Sequence, residues 1–454
     1  MSIGFGQLGR IEDLEEAIIC HRQALTLRPH GDPNRSTSLD NLAGAVSIRF
    51  EQLGRMEDLQ EAITCHRQAL ALLPHDHPDR SHSLSNLGVA VSTLFEQLVR
   101  LEDLEEAITC HRQALALLPH GHPDRSHSLS NLGVAVSTRF AQLRRMEDLE
   151  EAITCHRQVL ALQPHGHPDR SLSLSNLAVT VSTRFKQLGR MEDLEEAITC
   201  SRQALALRPH GHTNRSTSLD NLAVAVITRF EQLGRMEDLE EAITCHRQAL
   251  ALRRHGHSNR STSLNNLASA VSTRFEQLGG MDDLEEAITC YRQALALRPD
   301  GHPDRPSSLF NLAKAVSARF KQSGSKVDLL DTLKSLSEAK NILPTGHPHQ
   351  SLVGFSLASI SLIQCDNNIP NLDESLHMMT KAFELFEHAA DHSSASANDR
   401  FNAAVTWAGE AHCRDHQSAM HAYTKSLTLL GRRLILAPTK VGLLHDTGTS
   451  REKA

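Results

Sequence analysis

Cysteine and histidine stand side by side at regular intervals, and they are the residues of this chain best suited to chemistry. The pairs begin at Cys20, Cys65, Cys110, Cys155 and Cys245. Because neighbouring residues on a helix point about 100° apart, the thiol and imidazole of one pair cannot act together as nucleophile and base. Tyr291 replaces the histidine in a later copy. We therefore predict that these side chains pack in the core and that the chain has no catalytic residues.

A second histidine pattern, His-x-His, recurs at positions 75/77, 120/122, 165/167, 210/212 and 255/257. Two alternating imidazoles could grip a zinc ion, but a structural zinc site needs further ligands, and no cysteine lies in these segments. The sequence also lacks a phosphate-binding loop, Gly-x-Ser-x-Gly and His-Glu-x-x-His. We predict no metal site, no cofactor and no enzymatic activity.

Composition narrows the remaining classes of protein. Lys and Arg number 47 against 54 Asp and Glu, and the resulting net charge of −7 gives no general field for nucleic acid. No apolar run approaches the roughly 20 residues of a membrane span, and no secretory signal is seen. Nine cysteines in so long a chain do not form a disulfide scaffold. We expect a cytoplasmic protein that binds neither nucleic acid nor membrane.

An internal repeat organises these residues. A segment beginning Gln-Leu-Gly-Arg recurs every 45 residues, with small changes, from Gln7, Gln52, Gln97, Gln142, Gln187, Gln232 and Gln277. A decayed copy starts at Gln322. Self-similarity at such a period indicates stacked supersecondary units, each too small to bury its own apolar residues.

Each repeat contains two predicted helices, here called helix A and helix B. Apolar residues from Leu84 to Leu98 recur every three or four positions and predict helix A. Ser81 or Ser83 is a plausible N-cap for it. Gly54 in the preceding copy is a helix-ending residue. Helix B begins near Asp103, whose carboxylate is placed to cap the first turn, and Pro119 ends it.

This pattern resembles the tetratricopeptide repeat. The residues that carry the resemblance are Leu84, Leu87, Gly88, Val91, Ala107, His111, Ala114 and Pro119. The longer period is similar to that of kinesin-light-chain-type arrays and of fungal proteins in which such repeats precede a CHAT (caspase-like) domain. The resemblance implies an all-α, right-handed superhelical solenoid of antiparallel helix pairs. We expect about nine pairs after a leading half-repeat.

The expected organisation has three parts. Residues 1–343 form near-identical repeats, with the first truncated and the last decayed. Residues 344–430 form divergent helix pairs, predicted at 351–362, 372–386, 400–413 and 418–430. Residues 431–454 are expected to be a disordered tail, too short for a caspase-like domain.

Two columns of polar residues accompany the repeat. The first consists of loop arginines, which we expect to pair with neighbouring Asp or Asn: Arg35, Arg80, Arg125, Arg170, Arg215, Arg260 and Arg305. The second consists of asparagines in helix A: Asn41, Asn86, Asn131, Asn176, Asn221, Asn266 and Asn311. In the family that is resembled, helix A lines the concave face. These amides could therefore hold the backbone of an extended peptide, or could instead bond the neighbouring helix and stiffen the stack.

The predicted function is non-catalytic protein–protein interaction, with a peptide or protein bound in the concave groove. One alternative is the recognition portion of a CHAT-type protease system whose protease lies elsewhere. Another is a self-assembling structural solenoid, suggested by the leading half-repeat. The identity of the partner does not follow from the sequence.

Overall fold

The computed structural model describes residues 11–344, 346–367 and 372–436. Nineteen α-helices and no strands occupy these ranges, which confirms the all-α class and the repeated helix pairs. The chain forms two compact units, unit 1 (residues 1–235) and unit 2 (residues 236–454). The right-handed superhelix, which concerns the path of the whole array, stays a prediction.

The described helices of unit 1 are α1 (Ile11–Thr26), α2 (Arg35–Leu53), α3 (Met56–Leu72), α4 (Arg80–Leu98), α5 (Leu101–Leu117), α6 (Arg125–Leu143), α7 (Met146–Leu162), α8 (Arg170–Leu188), α9 (Met191–Ala206) and α10 (Arg215–Leu233). Those of unit 2 are α11 (Met236–Leu252), α12 (Arg260–Leu278), α13 (Met281–Ala296), α14 (Arg305–Ser323), α15 (Lys326–Ile342), α16 (His349–Asn367), α17 (Leu372–Asp391), α18 (Ala397–Cys413) and α19 (Ala419–Leu436). Even-numbered helices are copies of helix A, and odd-numbered helices are copies of helix B.

The hydrophobic core of each repeat is completed by its neighbour. Leu84, Leu87 and Val91 of α4 are at most 3% exposed. They pack in one cluster with Phe50 and Ile63 of the preceding repeat. A lone helix pair would leave these stripes in water, so the fold depends on stacking.

Helix A ends as the sequence predicts. Gly54 has a left-handed backbone, with φ of 66°, and its N–H donates to the carbonyl of Phe50 at 2.7 Å. Val99 and Arg144 occupy the same position in the next two copies, with φ of 54° and 56°. A residue with a Cβ is strained in this left-handed backbone conformation, so the helix ends at Val99 and Arg144 reduce the stability of the fold.

The predicted capping residues at the helix starts are wrong. Helix α4 begins after Asp79, so Ser81 and Ser83 lie inside the helix and are buried. Helix α5 begins after Arg100, and no side chain caps it. Asp103 instead accepts a hydrogen bond from Arg100 Nε at 2.9 Å, because a guanidinium competes with the helix amides for the carboxylate.

The corresponding aspartates elsewhere belong to a network that joins three helices. Arg139 of α6 donates from Nη2 to Asp148 Oδ1 of α7 at 2.6 Å and from Nη1 to Glu105 of α5 at 2.7 Å. Equivalent arginines make both bonds in other copies: Arg49, Arg184, Arg274 and Arg319. Leu94 replaces this arginine in α4, and Gln60 replaces its glutamate partner. The two substitutions together remove the arginine–glutamate pair of this copy, and neither substitution leaves an unpaired charge at the other position.

The loop arginines cap the preceding helix rather than pairing with Asp or Asn. Arg125 Nη1 donates to the carbonyl oxygens of Leu115 at 3.3 Å and Leu118 at 2.7 Å. The last carbonyls of a helix have no partner within the helix, and this guanidinium supplies one. Arg305 also contacts Asp300 at 3.3 Å and donates to Glu338 Oε1 at 2.6 Å, but it does not pair with the adjacent Asp304.

The divergent helices α16 to α19 lie where they were predicted and are mostly longer. Trp407 of α18 is 1% exposed and packs in a cluster with Phe383 and Phe386 of α17. The last helix runs to Leu436, six residues beyond its predicted end at Leu430. The rest of the predicted tail and the truncated residues 1–10 lie outside the described residues. None of the helices that the structure describes is long and apolar enough to cross a membrane.

Candidate peptide-binding groove

The predicted asparagines lie on the accessible face of helix A. Asn41 is exposed, and the other six are partly buried. Asn131 Nδ2 lies 3.2 Å from His127 Nε2 on its own helix. Asn311 Nδ2 donates to Asn265 Oδ1 of the neighbouring helix A at 3.5 Å.

The remaining five amides make no hydrogen bond to any group that the structure describes: Asn41, Asn86, Asn176, Asn221 and Asn266. Bonding to the neighbouring helix is therefore the exception in this column, found only at Asn311 among the described residues. The other amides can offer a donor and an acceptor to a ligand.

Three hollows open between successive copies of helix A in unit 1. The first, of about 410 Å³, is lined by Asn41 and Asn86. The second, of about 400 Å³, is lined by Asn86 and Asn131. The third, of about 550 Å³, is lined by Asn176. We call this row of hollows the unit 1 groove.

A row of half-exposed valines lies beside the asparagines. Sequence reasoning singles out only Val89, as a small residue that leaves room for a ligand beside Asn86, and does not identify the row. The exposed fractions are 44% for Val89, 47% for Val134, 52% for Val179 and 43% for Val224. Each valine follows an asparagine by three positions, so both lie on one face of helix A. The same 45-residue spacing could have revealed the row, but a periodic valine is ordinarily assigned to the core.

The equivalent surface of unit 2 is different. Ser269 and Lys314 stand where four copies of helix A in unit 1 have valine and α2 has Gly44. The hollow that they line with Asn311 has a volume of about 120 Å³. Tyr291 also lines it and is only 3% exposed, so a large ring fills space beneath this surface.

A histidine of helix B lines each hollow of the unit 1 groove: His21 the first, His66 the second and His156 the third. The Nδ1 of His66 lies 2.8 Å from Asp40 Oδ1. Ser83 also donates a hydrogen bond to Asp40. The carboxylate thus holds the imidazole of His66 by a charge-assisted contact between helices A and B.

The next two histidines have no such carboxylate. Ser85 stands in the place of Asp40, and Nδ1 of His111 and of His156 has no hydrogen-bond partner in the described structure. Each ring packs against a glycine of helix A, Gly88 or Gly133. Burial lowers the pKa of both histidines from 6.5 to about 4, so both rings are neutral at pH 7.

The cysteines beside these histidines are inert in this setting. Cys65, Cys110 and Cys155 are buried, and burial raises the pKa of each thiol to about 11. The thiol rather than the thiolate is then present at pH 7, and packing is the role that the structure gives it. Within the described ranges, no three His, Cys, Asp or Glu side chains are grouped so that they could hold a metal ion.

Comparisons with known proteins agree with the repeat architecture. A family model of the tetratricopeptide repeat matches residues 260–304. The chain is similar to the structure of a putative kinesin light chain with nearly identical TPR-like repeats from Podosopora anserina. The identity is 21%, over 50% of this chain and 100% of that chain, with a TM-score of 0.36. No protein of curated function matches the chain.

Two further solved structures are similar. BtubC (BKLC) from P. vanneervenii is 18% identical over 53% of this chain and 90% of that chain, with a TM-score of 0.39. A tetratricopeptide repeat protein from Parabacteroides merdae is 15% identical over 67% of this chain and 93% of that chain, with a TM-score of 0.39. Repeats of this kind are generally non-catalytic and suggest an interaction scaffold. Residues 260–304 match the tetratricopeptide repeat, and the other copies of the repeat share their 45-residue register.

Proposed function

We propose that the chain is a non-catalytic interaction scaffold whose unit 1 groove holds an extended peptide of a partner protein. The observation that carries this proposal is the pairing of asparagine and valine on four copies of helix A in unit 1, namely α4, α6, α8 and α10. The amides of Asn86 and Asn176 have no partner among the described groups, and Val89 and Val179 beside them are half-exposed.

The chemistry of the groove fits a peptide better than a small ligand. A carboxamide donates to a backbone carbonyl and accepts from a backbone N–H, so it recognises a main chain irrespective of side chains. The valines offer apolar contacts of about 1 kcal/mol each to side chains of the peptide. Three hollows in a row suit a ligand that is long and narrow.

The test replaces Asn131, Asn176 and Asn221 together by Ala in the full chain. The probe is a peptide selected from a random displayed library on the wild-type protein. Losing three amide contacts of about 0.5–1.5 kcal/mol each weakens its binding by roughly tenfold to a thousandfold. The melting temperature should change little, because solvent-facing amides are readily hydrated.

The matched control replaces Asn266 and Asn311 by Ala in unit 2, where the peptide should keep its affinity. A lower melting temperature of the triple variant, with peptide affinity intact, would show that the asparagines stiffen the stack and would end the proposal. The CHAT-associated sensor and the self-assembling solenoid stay predictions, because no feature of the described ranges favours either.

A further inference from the structure

The loop between α11 and α12 in unit 2 concentrates positive charge. Residues 253–260 include Arg253, Arg254 and Arg260 and no acidic residue. In the sister loop at 298–305, two arginines are balanced by Asp300 and Asp304. This excess of cations is unusual in a chain whose net charge is −7.

Arg254 is the residue that sets this loop apart. Every other copy of the loop has proline at the equivalent position: Pro29, Pro74, Pro119, Pro164, Pro209, Pro299 and Pro344. The exposed Arg254 therefore adds a cation at a position where the fold is satisfied by an uncharged residue.

The end of α11 does not need Arg254. Arg260 Nη1 donates to the carbonyl oxygen of Leu250 at 3.3 Å and also to that of Arg253. Arg253 in turn donates to Ser263. The same arginine cap closes the helices that are followed by proline, so capping leaves the extra guanidinium unexplained.

An open cavity of about 800 Å³ lies at this loop. Arg253, Arg254 and Arg260 line it together with the apolar side chains of Leu250 and Leu267. Arg254 is exposed and Arg260 is partly exposed, whereas Arg253 is buried, so the cavity presents the first two guanidinium groups to a ligand beside an apolar surface.

One further ion pair borders the cavity without adding net charge. Arg247 Nη2 donates to Glu286 Oε2 at 2.6 Å. The carboxylate of Glu286 is occupied by this contact, so the exposed guanidinium of Arg254 sets the sign of the charge at the cavity mouth.

We propose that this cavity binds an acidic segment of a partner protein in which carboxylates flank an apolar side chain. Guanidinium groups bind carboxylates through charge-assisted and often bidentate hydrogen bonds. The apolar lining takes the side chain between them. A nucleic acid fits less well, because it offers no aliphatic group and the chain as a whole is acidic.

The first experiment measures binding of a fluorescein-labelled peptide of alternating Glu and Leu to the full chain by anisotropy at low salt. Arg254→Pro restores the residue of the sister loops and should weaken binding by about tenfold or more without lowering the melting temperature. Arg254→Gln should do the same and guards against a backbone effect of proline. Unchanged affinity in both variants would overturn the proposal.

The second experiment transplants the site. Pro299→Arg, Asp300→His and Asp304→Asn together give the loop at 298–305 the charge pattern of the loop at 253–260, and should raise the peptide stoichiometry from one to two. A stoichiometry that stays at one would overturn the assignment of binding to this charge pattern. Competition by single-stranded DNA at lower concentration than by unlabelled peptide would also overturn an acidic protein segment as the ligand. The asparagine triple variant should bind this probe like the wild type, which separates this site from the unit 1 groove.

Discussion

Both units have an asparagine at the same position of helix A, but the surface around this asparagine differs between them. In unit 1, asparagines such as Asn131 lie beside half-exposed valines over hollows of about 400 to 550 Å³. In unit 2, Asn311 lies beside Lys314 over a hollow of about 120 Å³. Helix lengths and core leucines are alike in both. A repeat fold can thus keep its stacking unchanged while a few positions decide whether a ligand has room.

The residue beneath the groove follows the same division. In unit 1, positions 111 and 156 are neutral histidines over glycines, and Ser201 stands at the same position of α9. In unit 2, Tyr291 stands at this position and Ala268 replaces the glycine. Burial raises the pKa of Tyr291 to about 12, so its ring stays uncharged at any ordinary pH. Acid can protonate the histidines beneath the unit 1 groove, but it cannot give Tyr291 a charge.

Acid should destabilise unit 1 more than unit 2, and this is the largest effect we predict. Burial lowers the pKa of both His111 and His156 to about 4 in unit 1, whereas in unit 2 it lowers the pKa of the partly buried His416. The pKa of His111 and His156 is about 4 in the folded chain and 6.5 unfolded, so the unfolded chain binds more protons. Their contribution to stability is full above pH 6.5 and is lost as the pH falls toward 4. At pH 5.5 the loss is between about 1 and 2 kcal/mol per histidine, or roughly 3 kcal/mol in all.

Two signals separate the units. Trp407 is the only tryptophan of the chain and lies in unit 2, so its fluorescence reports that unit, whereas circular dichroism reports both. On heating at pH 5.5 the dichroism should change before the fluorescence does. His156→Ser with Gly133→Ala, which copies the pairing of Ser201 with Ala178, should remove about half of the pH dependence. A melting curve identical at pH 7.5 and 5.5 would contradict the account.

Gly88→Ala should break the packing of one unit 1 histidine. An added Cβ would lie 2.5 Å from His111 Cε1, so the ring must move, at about 1–3 kcal/mol in the free energy of unfolding. Gly44→Ala is the matched control, because nothing lies within 4 Å of its Cβ, and it should stabilise by about 0.5–1 kcal/mol. Urea unfolding measures both.

A second substitution sharpens this test. In the preceding repeat, alanine (Ala43) already stands at the position of Gly88, and Asp40 contacts the imidazole of His66 there. Ser85→Asp added to Gly88→Ala should draw His111 into the same arrangement and recover most of the lost stability. If Gly88→Ala alone is as stable as the wild type, the close fit of ring and glycine is not a constraint.

Val134→Ser with Val179→Ser should make the unit 1 groove resemble unit 2. Each change removes about 1 kcal/mol of apolar contact with a bound peptide, so together they should weaken a library-selected peptide by roughly thirtyfold. Ser269→Val in unit 2 is the control and should leave affinity unchanged. If the substitutions in the two units changed peptide affinity equally, the difference between the unit 1 and unit 2 surfaces would not matter for binding.

Val99→Gly gives the smallest effect, a gain of about 1 kcal/mol in the free energy of unfolding. Val99 has a left-handed backbone, whereas unit 2 has Gly279 and Gly324 at the equivalent position. Gly324→Ala should cost a similar amount. The midpoint of urea unfolding should move up for the first variant and down for the second, with the slope unchanged.

Features that depend on the local spacing of apolar residues could be predicted from the sequence. Side-chain contacts could not be predicted where a side chain has two possible partners. The period, the helix pairs and the buried His111 follow from apolar spacing alone. Capping by Asp103 was wrong, because its choice between the helix amides and Arg100 depends on where the arginine lies in three dimensions. Val134 was missed because sequence spacing shows which side of a helix a residue takes, but not whether a neighbour covers it.

Photo-crosslinking tests the central claim most directly. A benzophenone amino acid replaces Val134 in unit 1 or Lys314 in unit 2 of the full chain, and each variant is irradiated with the same library-selected peptide. The account predicts covalent capture at position 134, abolished by excess unlabelled peptide, and none at position 314. Capture at 314 with none at 134 would contradict the assignment of the groove to unit 1.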